Sequence, residues 1–219
     1  MNIARLATLA TLLLIPFAAI TAETNKWEKE IAAFESGDRA NPPPKSPIVF
    51  VGSSSIRLWK TLADDLAPHP VINRGFGGSE ISDSVHFAER IVIPYQPRMV
   101  VMYAGGNDIH AGETPATVFE DFKAFVAKIT NALPKTKIAY ISIAPNPARW
   151  KEVEQVKAAN QLISRYADEH PKVEFINVFP EMLGEDGLPR PEIYVADQLH
   201  MNERGYALWT RIIKPRLKL

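Results

Sequence analysis

Three consecutive serines, Ser53, Ser54 and Ser55, stand directly after Gly52, at the end of a short apolar run. A serine hydroxyl at a turn between a buried strand and a helix is a candidate nucleophile. The helix behind it offers backbone N–H groups and the positive end of its dipole. A serine needs a base, and the base needs an orienting carboxylate. The chain has five histidines: His69, His86, His110, His170 and His200. His200 follows an acid, Asp197, at a spacing that lets both line one turn just before a terminal helix. Acyl transfer also requires donors for the oxyanion that develops on the carbonyl. Gly78 can present an unshielded backbone N–H and Asn107 a side-chain amide, and each such donor is typically worth about 10²–10³ in rate. Taken singly, the glycines would equally serve tight turns and Asn107 a helix cap.

The elements that must position these groups alternate along the chain. Apolar runs at 48–51, 70–72, 99–103, 138–143 and 173–178 read as buried strands. Helical periodicity appears at 56–66, 81–93, 115–133, 153–170 and 202–217. Strands alternating with helices predict right-handed crossovers and a parallel sheet covered on both faces, and strands apolar throughout agree with that burial. In such a sheet functional groups collect beyond the carboxyl ends of the strands. Gly52–Ser55, Gly75-Phe-Gly-Gly78 and Gly105-Gly-Asn-Asp108 each follow a predicted strand. The expected fold is therefore an α/β, three-layer α/β/α sandwich around a roughly five-stranded parallel sheet, flavodoxin-like in arrangement.

Four blocks, Gly52-Ser53-Ser54, Asn73-Arg-Gly-Phe-Gly-Gly78, Gly105-Gly-Asn107-Asp108 and Asp197-Gln-Leu-His200, resemble in order those of the SGNH (GDSL-type) hydrolases. The resemblance runs from Ile48 to the C-terminus. The form of the second block is similar to the branch of the platelet-activating-factor acetylhydrolase catalytic subunits. The resemblance implies Ser54 as nucleophile, His200 as general base and then acid, and Asp197 as its orienter. It implies an oxyanion hole made by Ser54, Gly78 and Asn107, and ester hydrolysis without metal or cofactor. Ser53 stands where the usual Gly-Asp-Ser has its Asp. A Gly-x-Ser-x-Gly elbow is absent, since position 56 is Ile56.

Composition narrows the rest. Lys+Arg and Asp+Glu are both 25, giving net charge +0, which argues against a nucleic-acid partner held by its phosphates. The absence of cysteine excludes a disulfide scaffold and a thiol nucleophile. Residues 1–22 carry one basic residue, an apolar run and a small-residue exit at Ala22, the pattern of a cleaved signal peptide. A secreted or periplasmic protein is expected, with no stable membrane anchor after cleavage. The mature chain would have a helix and Pro-rich linker at 23–46, the helix spanning 25–34 and stopped by Ser36-Gly37, and a hydrolase domain at 47–219. Arg57, Trp59, Arg149 and Trp150, with His110 and Asn146 nearby, are candidate substrate contacts. No long apolar lid interrupts the blocks, so a small-molecule ester with a short acyl group, such as an acetylated carbohydrate, is favoured. The rival readings are a lysophospholipase or thioesterase, a non-catalytic binding module, a phosphate cradle at Gly75–Gly78, and a metal site built from Asp108, His110, Asp197 and His200.

Overall fold

The computed structural model describes residues 25–217. The signal-peptide reading at 1–22 lies outside the described residues. The first helix, α1 (Glu28–Ala40), precedes β1 (Ile48–Gly52). Two short helices follow, α2 (Ser54–Leu58) and α3 (Leu62–Asp65), then β2 (Val71–Gly75), α4 (Ile81–Ile91) and β3 (Met99–Tyr103). Next come α5 (Gly106–His110), α6 (Pro115–Ala132), β4 (Lys137–Ile141), α7 (Val153–Glu169), β5 (Val173–Ile176) and α8 (Glu203–Ile213).

The five strands pair in parallel in the order β2-β1-β3-β4-β5. The expected three-layer α/β/α sandwich is what forms. Strand β1 shows why: every residue is buried, yet alternate side chains serve different layers. Val49 and Val51 join the core under α4, α6 and α7, whereas Ile48 and Phe50 join the core with α2, α3 and α8. Burying one such side chain contributes roughly 1.5–3 kcal/mol, so both faces of the sheet must be covered. The strand order reverses between β1 and β3, and in such sheets that opens a crevice at their carboxyl ends.

Two local expectations are corrected. The periodic stretch 56–66 is two helices, broken at Trp59. A continued helix would give the Ile56 carbonyl to the Lys60 N–H. Instead Asn73 Nδ2 donates to that carbonyl at 2.6 Å, and the Lys60 N–H turns to Leu58. In the other case α1 runs through Gly37 to Ala40 instead of stopping. A glycine inside a helix costs about 1 kcal/mol. Tertiary ion pairs offset that cost: Asp38 meets Arg74 and Tyr95 at one end, and Glu28 and Glu35 grip Arg90.

One long connection was not anticipated. Between β5 and α8 the chain has only short 3-10 turns, Pro180–Met182 and Pro191–Ile193, and two isolated bridges. This segment delivers Asp197 and His200.

Candidate active site

Strand β1 ends tightly against β3. Gly52 has φ +133°, and a Cβ there would lie 2.0 Å from the Tyr103 carbonyl oxygen. Only glycine fits that approach, so the chain can turn at once into α2 with Ser54 as its first residue. Ser53 and Ser55 are buried, while Ser54 is part-exposed. Of the three, Ser54 alone meets a base: its Oγ lies 2.9 Å from His200 Nε2.

The acid and base share a turn closed by the Val195 N–H on the His200 carbonyl, at 2.8 Å. Asp197 Oδ1 accepts the N–H groups of Leu199 and His200, both at 2.9 Å. Its Oδ2 lies 2.6 Å from His200 Nδ1. Burial opposes ionisation of this carboxyl, but the hydrogen bonds from the His200 side chain and from the His200 and Leu199 N–H groups outweigh it. They hold Asp197 down at about 2. An ionised carboxylate accepts only, so the imidazole proton sits on Nδ1 and Nε2 is free to take the serine proton. The Asn202 carboxamide caps α8 through the Arg204 and Gly205 N–H groups and also donates to the Glu192 and Tyr194 carbonyls. Tyr206, on α8, donates to the Ser55 carbonyl at 2.9 Å and ties the histidine side of the site to the serine side. Tyr194 Oη donates to the Pro145 carbonyl and ties the same turn to the end of β4.

The candidate oxyanion donors come from the neighbouring strand ends. Gly78 has φ +74° in the turn after β2, with Trp27 of the N-terminal segment packed beside it. Asn107 Nδ2 donates to the Ser79 carbonyl at 2.9 Å, which links the two loops. Asp108, fully buried, clamps the same pair from below. Its Oδ1 accepts the Ile81 N–H at 2.9 Å and its Oδ2 the Gly105 N–H at 3.0 Å. Burial pushes this carboxyl up to about 7, with Glu113 and Glu80 adding to the effect and the backbone N–H groups opposing it.

Ser54, Asn107 and His200 line one cavity of about 40 Å³, walled also by Tyr103, Ile143, Met182 and Tyr194. Arg149, Trp150 and Asn146 also line it. Trp59 does not. It is 1% exposed and packs against Phe50, Tyr206 and Trp209, because breaking the helix there turns its ring into the core. Arg57 lies against the Gly77 backbone and faces a separate groove with Phe34 and Lys60. His110 pairs with Glu152 at 2.9 Å and does not line the cavity.

The alternative metal set is not brought together, since Asp108 points into the protein and His110 is taken by Glu152. Among the described residues, Asp108, Glu113 and Asp121 are the carboxylates close enough to share an ion, their atoms lying within 4.8 Å of one another. None of them lines the cavity. The sequence reading missed the cavity walls Tyr103, Ile143, Met182 and Tyr194. Of these only Tyr103 carried a signal, as the last residue of a strand before a glycine-rich block.

The sequence model of the GDSL-like Lipase/Acylhydrolase family matches residues 49–208. No curated protein matches the chain. Among solved structures, a Streptococcus pneumonia protein assigned as a platelet activating factor aligns with TM-score 0.76 and 20% identity, over 87% of this chain and 92% of that one. A Bacteroides fragilis protein assigned as an acylhydrolase aligns with TM-score 0.70 and 20% identity, over 93% of this chain and 97% of that one. An acetyl-xylooligosaccharide esterase from Geobacillus Stearmophilus aligns with TM-score 0.66 and 14% identity, over 81% and 96%. At these identities the likeness establishes the fold.

Proposed function

Because the chain belongs to the GDSL-like lipase/acylhydrolase family, we propose that it is an exported serine esterase that cleaves short acyl groups, such as acetyl, from small carbohydrate-like alcohols. One observation carries the reading: the chain of hydrogen bonds from Ser54 Oγ to His200 Nε2, 2.9 Å, and from His200 Nδ1 to Asp197 Oδ2, 2.6 Å. Ser54 attacks the ester carbonyl as His200 takes its proton, and Asp197 stabilises the imidazolium. The tetrahedral oxyanion is met by the Ser54 and Gly78 N–H groups and the Asn107 amide. The carbon–oxygen bond to the alcohol then breaks, and His200 returns its proton to the departing alkoxide. Water, deprotonated by His200, attacks the acyl-serine; the bond to Ser54 Oγ breaks, His200 returns the proton to Oγ, and the acid leaves. Every proton is moved by His200, so the reaction needs neither metal nor cofactor.

The cavity of about 40 Å³ supports a short acyl group. The fold likeness to an acetyl-xylooligosaccharide esterase fits an acetylated sugar, and Trp150 at the cavity offers a face on which a sugar ring could stack. Export rests on the leader pattern at 1–22.

Hydrolysis of p-nitrophenyl acetate tests the reading, with a chain-length series of acyl esters beside it. Ser54→Ala and His200→Ala are each expected to lower kcat by about 10⁴-fold or more, while Ser55→Ala retains most activity. Full activity in Ser54→Ala would remove the proposed nucleophile.

A further inference from the structure

The amide of Asn107 can stabilise an oxyanion only if its nitrogen, and not its oxygen, faces the reacting carbonyl. Two contacts decide this. Ser79 O is an acceptor and takes one Nδ2 hydrogen at 2.9 Å. Arg149 Nη1 is a donor and approaches Asn107 Oδ1 at 3.0 Å. A guanidinium cannot accept a hydrogen bond, so the flipped amide would set Nδ2 hydrogens against Arg149 and its oxygen against a carbonyl. The second Nδ2 hydrogen is left for the oxyanion. The same Nη1 also donates to the Gly106 carbonyl at 3.1 Å and holds the Asn107 backbone to the same point.

Arg149 is itself held for this task. The Asn146 side chain accepts the Arg149 N–H at 2.9 Å, and Arg149 has non-helical backbone angles inside the 3-10 segment Pro147–Glu152, which turns it toward α5. Its near neighbour Glu152 acts on it only through space, since the Glu152 carboxylate is hydrogen-bonded to His110 at 2.9 Å. Arg149 is part-buried at the wall of the cavity that Ser54 and His200 share. Burial lowers its pKa, but arginine remains charged in proteins. A cation on the amide oxygen draws electron density from the nitrogen and makes the remaining N–H a stronger donor.

We infer that Arg149 is a positioning residue for the oxyanion hole, fixing and polarising the Asn107 carboxamide from behind. It acts through Asn107 and not on the substrate. The inference rests on the serine-esterase reading.

The test is a double-mutant cycle on p-nitrophenyl acetate with wild type, Arg149→Met, Asn107→Ala and the double variant. Arg149→Met is expected to lower kcat about 10- to 100-fold, with KM changed less than about threefold. In the Asn107→Ala background the same change is expected to cost less than about twofold, since the group it positions is gone. Arg149→Lys should recover only part of the loss, because the shorter lysine stem leaves its ammonium short of the Nη1 position from which both contacts are made. It also supplies the cycle if the Met variant fails to fold. An equal loss in both backgrounds, a rise in KM alone, or unchanged kcat would each overturn the inference. A wild type that neither hydrolyses the ester nor reacts with a fluorophosphonate marks failure of the esterase reading instead. An active wild type without coupling marks failure of the Arg149 inference alone.

Discussion

Two aspartates flank the site and are treated in opposite ways. Asp197 has a side chain 48% exposed, and hydrogen bonds from its own turn hold it at about 2. Asp108 is 0% exposed and is pushed up to about 7, although it too accepts two backbone N–H groups. The difference is the balance: burial opposes charge at both, but at Asp197 the hydrogen bonds, the His200 side chain's among them, outweigh it, whereas Asp108 sits beneath two loops with Glu113 and Asp121 close by and only backbone N–H groups oppose its burial. Asp197 is built to stay charged beside a histidine that must become charged in turn. Asp108 is built to hold two loops together, and its charge is a burden that the folded state relieves by taking up a proton.

The largest expected effect that would test this contrast is at Asp197. Asp197→Asn removes the charge and lets the imidazole adopt the wrong tautomer. Activity on p-nitrophenyl acetate should fall by about 10²–10⁴-fold, while the melting temperature moves little. A large loss of stability with activity kept would reverse the roles assigned to the two acids. Asp108→Asn should do the opposite. An amide can accept only one of the two N–H groups, and leaving the other unsatisfied costs about 1–3 kcal/mol. Denaturant unfolding should register that loss, with a smaller fall in activity through the displaced Gly78 and Asn107 loops.

The smallest effect, and the sharpest, is the dependence of stability on pH. Asp108 has a raised folded pKa, so its contribution is fully present below about pH 4 and is lost as pH rises toward about 7. Asp197 has a lowered folded pKa. Its contribution is present above the ordinary aspartate value of 3.8 and is lost as pH falls toward about 2. Unfolding free energies measured from pH 4 to 7 in wild type and Asp108→Asn should differ in slope, the variant losing the Asp108 share of the decline with rising pH and keeping that of Glu113 and Asp121, whose carboxyls burial also raises. Parallel slopes would mean that Asp108 is no more burdened by burial than Asp197.

The same pair separates what was legible in the residues from what was not. Asp197 and His200 stand three apart, and their contacts close within one turn, so a single block of the sequence holds both. Asp108 reaches Ile81, 27 residues back, and nothing near it in the chain announces that partner. Trp59 and Trp150 follow the same division. Both lie near a block, yet Trp59 became core because Asn73 of β2 took the Ile56 carbonyl and ended the helix. Trp150 stayed at the cavity wall.

Periodicity, glycine placement and four ordered blocks were enough for the layers, the parallel sheet and the identities of the candidate catalytic groups. These depend on burial patterns and turn chemistry that are local. The blocks single out Ser54 among three adjacent serines, but the 2.9 Å approach of its Oγ to His200 depends on a contact spanning 146 residues. Which way the Asn107 amide points depends on Arg149, 42 residues on. The cavity's size depends on walls drawn from three strand ends and the long connection before α8. Contacts of that range are formed only when the sheet brings its carboxyl ends together, so no local pattern could have carried them.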